Sequence, residues 1–154
     1  DVKSLVYNTG FFTFPEDTFM KIKIAGMPVI PRTLPTELIA YDDFRNAKID
    51  KIRTLTFSEG GTSQNTTFLL DGQQFNPNVV SQVMELGSTE EWHLVNKSKE
   101  THPFHIHINP FQVISVNGID VDRKGYDDTF PVPAMSTVII RTKYTDFEFA
   151  PLAG

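Results

Sequence analysis

Apolar and polar positions alternate along much of this chain. Residues 19–25, 52–57 and 90–96 change character at nearly every step. A period of two sends successive side chains to opposite faces, so each segment predicts a half-buried β-strand. Residues 66–70 and 136–142 are rich in β-branched and apolar side chains and predict two more strands; 105–116 predicts the longest. Gly60-Gly61, Asp71-Gly72 and Asn117-Gly118 fall at strand ends and predict tight turns, because Gly and Asn tolerate positive φ. Pro28, Pro31 and Pro35 predict an extended, linker-like stretch, and 38–44 at most one short helical turn. Residues 1–18 have little periodicity and read as an arm or the tail of a preceding domain. No long helical period and no internal repeat is present. Short strands punctuated by Gly, Pro and Asn predict an all-β sandwich or barrel.

Composition narrows the chemistry. Thirteen Phe suit a packed β interior, and a formal charge of −5 argues against a nucleic-acid partner. No apolar run approaches the roughly 18–20 residues needed to span a bilayer. With no cysteine, disulfides, zinc–thiolate sites, iron–sulfur clusters and thiol nucleophiles are excluded within these 154 residues. A blue-copper centre built from this chain alone is excluded too, since it requires a thiolate. No Gly-x-Ser-x-Gly elbow and no phosphate-binding glycine loop occurs, so no residue is assigned a catalytic or organic-cofactor role.

Three of the four histidines, His102, His105 and His107, lie within six residues. On a strand His105 and His107 would share a face, which makes half of a metal site. Imidazole suits copper, zinc, iron and nickel, and from residue types alone zinc is the default. The plain alternative is that the three only pack and hydrogen-bond; their spacing favours metal. A complete site needs ligands from another chain or from further sequence. His93, beside Trp92 on an alternating segment, reads as structural or solvent-facing. Asp120, Asp122, Asp127 and Asp128 read as a solvated loop, because their spacing does not fit an EF-hand.

The run His102-Pro103-Phe104-His105-Ile106-His107-Ile108-Asn109-Pro110-Phe111 resembles the third-domain motif of the multicopper oxidases, the family of laccases, cuprous oxidases and bilirubin-oxidase-like enzymes. Residues 71–78 resemble the segment before that motif, and 90–96 resemble its Glu-Glu-Trp strand. Asp128-Thr129 with Pro133 resembles its Asp-Thr loop, and 129–146 the strand leading to the last copper motif. The resemblance implies a cupredoxin-like Greek-key β-sandwich. It implies that His102 is a type 1 copper ligand, His105 a type 2 ligand and His107 a type 3 ligand. The type 2 and type 3 coppers form the trinuclear cluster that reduces dioxygen to water between the first and last cupredoxin domains.

The family's His-Cys-His motif does not occur in these residues, so the remaining ligands are expected from outside the chain. The expected organisation is an arm and Pro-rich linker from a preceding cupredoxin domain over 1–35, then an incomplete C-terminal cupredoxin domain over 36–154. The implied parent oxidises phenolic, amine or metal-ion substrates by single electrons, in the periplasm or outside the cell. Its expected partners are the remaining cupredoxin domains, dioxygen and a small reductant, with no nucleic acid and no membrane span. Two alternatives stay open: a fragment that binds copper or zinc weakly, and a catalytically silent scaffold.

Overall fold

A computed structural model describes residues 1–10, 12–30, 32–36 and 40–146. The strands of the arm are β1 (Val2–Lys3), β2 (Tyr7–Asn8), β3 (Thr13–Phe14) and β4 (Thr18–Met20). Those of the body are β5 (Lys51–Thr62), β6 (Asn65–Leu70), β7 (Thr89–Asn96), β8 (His102–His105), β9 (Phe111–Val116), β10 (Ile119–Asp120), β11 (Thr129–Val132) and β12 (Thr137–Lys143). A six-stranded sheet runs in the order β10-β9-β12-β7-β5-β6, antiparallel except for the parallel pair β5 and β7. The antiparallel ribbon β8–β11 supplies the facing layer.

Alternation decides which side chains meet between the layers. Leu94, Ile140, Val138, Phe111 and Val113 from the sheet pack with Phe104 and Val132 from the ribbon, all nearly or fully buried. Each such side chain contributes about 1.5–3 kcal/mol relative to exposure. Pro103 and Pro131 stand opposite one another in the ribbon. Neither has an N–H, so neither strand can accept a full ladder on both sides, and the ribbon stays two strands wide. No helix among the described residues is long and apolar enough to cross a membrane.

Several expectations are met. Asp71 and Gly72 both have positive φ (50° and 76°) and close a two-residue turn across which Leu70 and Gln73 exchange hydrogen bonds of 2.9 and 3.0 Å. Asn117 and Gly118 (φ 51° and 76°) turn β9 into β10 in the same way.

Others are corrected. Gly60-Gly61 does not end its strand: β5 runs through to Thr62, and Gly61 (φ 81°) lies inside the hairpin. A Cβ there would sit 2.2 Å from the Asn65 carbonyl oxygen, so the position requires glycine for close approach. The strand expected over 19–25 is only three residues long, because past Met20 no neighbouring strand pairs with it. The long strand expected over 105–116 is two strands, β8 and β9, separated by a bend at 107–109. The break comes at Ile108, whose φ is +78°. The helical turn expected near 38–44 is a 3-10 turn at Phe44–Asn46, capped by the Asp43 carboxylate on the Arg45 N–H; residues 37–39 lie outside the described residues. The arm is folded as one interrupted hairpin, with β2–β3 at the tip and β1–β4 at the base, and its tip meets the body where the Thr101 N–H donates to the Thr9 carbonyl (2.7 Å).

Candidate metal centre

The three motif histidines occupy two different settings. β8 alternates, so His102 and Phe104 point toward the core side while Pro103 and His105 point out. His102 is wedged in place: its ring stacks on Phe57 (centroids 5.9 Å, 15° between planes) and meets Phe68 edge-on at 5.8 Å. Its Nε2 lies 2.7 Å from Ser98 Oγ, and the Glu59 carboxylate stands 3.9 Å away.

His105 ends β8 directly opposite Thr129 of β11. Its Nδ1 is 2.7 Å from the Asp128 carbonyl oxygen and 3.0 Å from Thr129 Oγ1. A carbonyl only accepts, so Nδ1 carries the proton and Nε2 is a bare donor atom. Metal-binding imidazoles are held in this way, with the far nitrogen tied to a carbonyl or carboxylate. His105 Nε2 lies 3.4 Å from His107 Nδ1. Two nitrogens about 2.0–2.1 Å from one tetrahedral ion stand at about this separation.

His107 does not reach this place by strand alternation, since the strand has already ended. It sits in the bend, and the Asn109 N–H donates to the His107 carbonyl (3.1 Å) across Ile108. With φ at +78° this is a γ-turn of the rare, strained hand, and the residue inside it is β-branched. Asn109 Oδ1 accepts from the Thr145 N–H (3.0 Å), and the Thr142 hydroxyl donates to the Pro110 carbonyl (3.0 Å). The bend is thereby fastened to the end of β12. His105 and His107 form part of the wall of a cleft of about 670 Å³, lined also by Leu70, Phe75, Val80 and Met84.

In kind the donors fit copper: imidazole nitrogens, one of them backed by a carbonyl. In number they fall short, because among the described residues no group of three or more His, Cys, Asp or Glu could hold a metal ion. His93 is held instead in a lateral hydrogen bond, with Nε2 2.8 Å from Glu91 Oε1, while Arg141 pairs with the other carboxylate oxygen (2.8 Å). Burial works to raise the Glu91 pKa, but the hydrogen bonds from His93 and Arg141 outweigh it and hold the carboxyl below its ordinary 4.5. In the acidic loop, Asp127 pairs with Arg123 (2.7 Å).

The sequence reading missed the partners. Asp128 acts through its backbone carbonyl, which no side-chain pattern reveals. Asn96 and Ser98 lie six and four residues before His102, the first at the end of the alternating segment 90–96 and the second just past it. The buried Glu90, with Arg53 bidentate on it and the Trp92 indole N–H donating to it at 3.1 Å, was legible only as alternation. Tyr144 lies close by, and burial, then the Glu90 charge, pushes its hydroxyl up to about 12.

The molecule is thus a β-sandwich that exposes two converging imidazoles, one of them backed by a carbonyl. Comparison with known proteins makes this specific. The family described as multicopper oxidase matches residues 46–148, well over half of the chain. The chain therefore belongs to the multicopper oxidase family. It is 36% identical over 78 residues to a laccase of Bacillus stratosphericus, covering 51% of this chain and 15% of that protein. It is 28% identical over 89 residues to a laccase of Bacillus subtilis (strain 168), covering 58% and 17%. Among solved structures, the laccase from Pediococcus acidilactici Pa5930 superposes with a TM-score of 0.61 at 28% identity, over 75% of this chain and 25% of that one. A multicopper oxidase from Campylobacter jejuni, at 21% identity, shares the fold with a TM-score of 0.62, over 75% and 28%. The fold is the cupredoxin-like sandwich of these oxidases, and the chain spans only 15% to 28% of their length.

Proposed function

We propose that this chain carries the copper-binding face of the C-terminal cupredoxin domain of a laccase-like multicopper oxidase. Residues 1–35 are then the end of a preceding domain with its linker, and 36–154 the incomplete last domain. His102 would hold the type 1 copper, which would supply one-electron chemistry toward a phenolic, amine or metal-ion reductant. His105 and His107 would supply ligands to the type 2 and type 3 coppers, and residues outside this chain would complete both sites. When bound, the coppers would supply the four-electron chemistry by which one dioxygen and four protons become two waters. What this chain does is hold and aim the imidazoles. The Asp128 carbonyl keeps the proton on His105 Nδ1, and the γ-turn at Ile108 brings His107 to face it. The family's working place, the periplasm or the cell exterior, is proposed for this protein as well.

One observation carries the reading: His105 Nε2, bare because Nδ1 is committed, converges with His107 Nδ1 at 3.4 Å. In the full-length oxidase, His105→Ala and His107→Ala each abolish cluster copper and oxygen consumption. Full copper content and activity in both variants would overturn the assignment. The same 3.4 Å separation also suits a single ion. By itself the chain then binds one copper or zinc weakly through this pair, with water completing the shell.

A further inference from the structure

The loop between β7 and β8 hangs on one buried amide. Asn96, 2% exposed, ends β7. Its Nδ2 lies 2.7 Å from the Glu100 carbonyl, 2.9 Å from that of Pro133 and 3.1 Å from that of Val132. Three acceptors around one end of the amide fix that end as the NH2 group. The other end, Oδ1, accepts from the Ser98 N–H at 2.9 Å. Asn96 therefore clamps residues 98–100 against the exit of β11.

Ser98 passes this order to the first histidine. Its Oγ lies 2.8 Å from Asn96 Oδ1, 3.0 Å from the Glu100 carbonyl and 2.7 Å from His102 Nε2. A hydroxyl has one proton. If it went to His102, two short oxygen–oxygen contacts would have no proton between them. The proton goes to one of the oxygens, and Ser98 Oγ turns a lone pair toward His102. We propose that Asn96 and Ser98 are positioning residues, a relay that fixes His102 as the Nε2–H tautomer and leaves Nδ1 open to a ligand. Phe57, stacked on the ring, fixes its plane. His105, three residues on, carries its proton on Nδ1 through Asp128, so the two imidazoles hold opposite tautomers. The value of the relay for copper rests on the function proposed above; the tautomer itself does not.

Two-bond proton–nitrogen correlation spectra of the labelled chain in mildly alkaline buffer test this. The wild type shows His102 with Nε2 protonated and Nδ1 bare, and His105 the reverse. Ser98→Ala moves both His102 nitrogens toward averaged shifts and leaves His105 unchanged, and Ser98→Thr, which keeps the hydroxyl, restores the single form. A wild-type His102 protonated on Nδ1, or a Ser98→Ala spectrum identical to wild type, would overturn the relay. Copper(II) sulfate added to the same sample broadens the His105 and His107 signals. Sharp signals there would overturn the copper reading while the tautomer result stands.

Discussion

His102 and the His105–His107 pair belong to one short motif, yet the fold treats them differently. His102 is 17% exposed, stacked on Phe57 and tied through Ser98 to an amide that holds three carbonyls. His105 and His107 stand exposed beside a cleft, and the second of them leans on a strained turn. The first setting is finished by the chain's own side chains except at Nδ1, which stays open. The second is half of something: its donor atoms are aimed, but their count is too low. Burial sets the difference, because a buried polar group must find its partners within the fold, whereas an exposed imidazole can wait for an ion or another domain.

The largest effect should come from breaking the finished side. Asn96→Ala removes three hydrogen bonds at once, to the Glu100, Val132 and Pro133 carbonyls, and frees the Ser98 loop, at a cost of about 3 kcal/mol. His107→Ala, at an exposed site, should stay within about 0.5 kcal/mol. Urea unfolding of the two variants measures the contrast directly, and equal losses would erase it.

A smaller effect of opposite sign is expected on the unfinished side. Ile108→Gly relieves a β-branched residue at φ +78° and should stabilise the chain by about 1 kcal/mol, read as a raised urea midpoint. The same change loosens the bend that aims His107, so metal affinity should fall as stability rises. A stabilised variant with unchanged affinity would show that the turn does not aim the ring.

The smallest effect concerns Glu91, away from both settings. Its pKa is depressed in the folded state, so it contributes stability above the ordinary carboxyl value, and that contribution is lost as pH falls through the depressed one. Glu91→Gln should lower stability modestly at neutral pH and flatten the acid limb of the stability profile, with no change in metal binding. An unaltered acid limb would remove the His93–Glu91–Arg141 arrangement from the account.

The motif and most strands were legible in the sequence because alternation and two-residue turns are local. Asp71-Gly72 and Asn117-Gly118 turn as their residue types require. The break at Ile108 was not legible, since nothing in a run of β-formers announces a positive φ at an isoleucine. It is imposed by the fastening of Asn109 to Thr145 and of Pro110 to Thr142, both remote in sequence. For the same reason, the pairing of His105 with His107 was expected for a reason only partly right. They meet because the chain bends after the strand, not because a strand continues. The partners Asp128, Asn96 and Ser98 were invisible because they act through backbone atoms or through a loop whose order depends on β11.

Whether His105 and His107 act together as metal donors is decided by calorimetric titration of the chain with copper(II) at neutral pH, run beside His105→Ala and His107→Ala. A saturable heat at one ion per chain, lost in either variant, is the predicted result. A flat titration of the wild type, or binding that survives removal of both imidazoles, would contradict it.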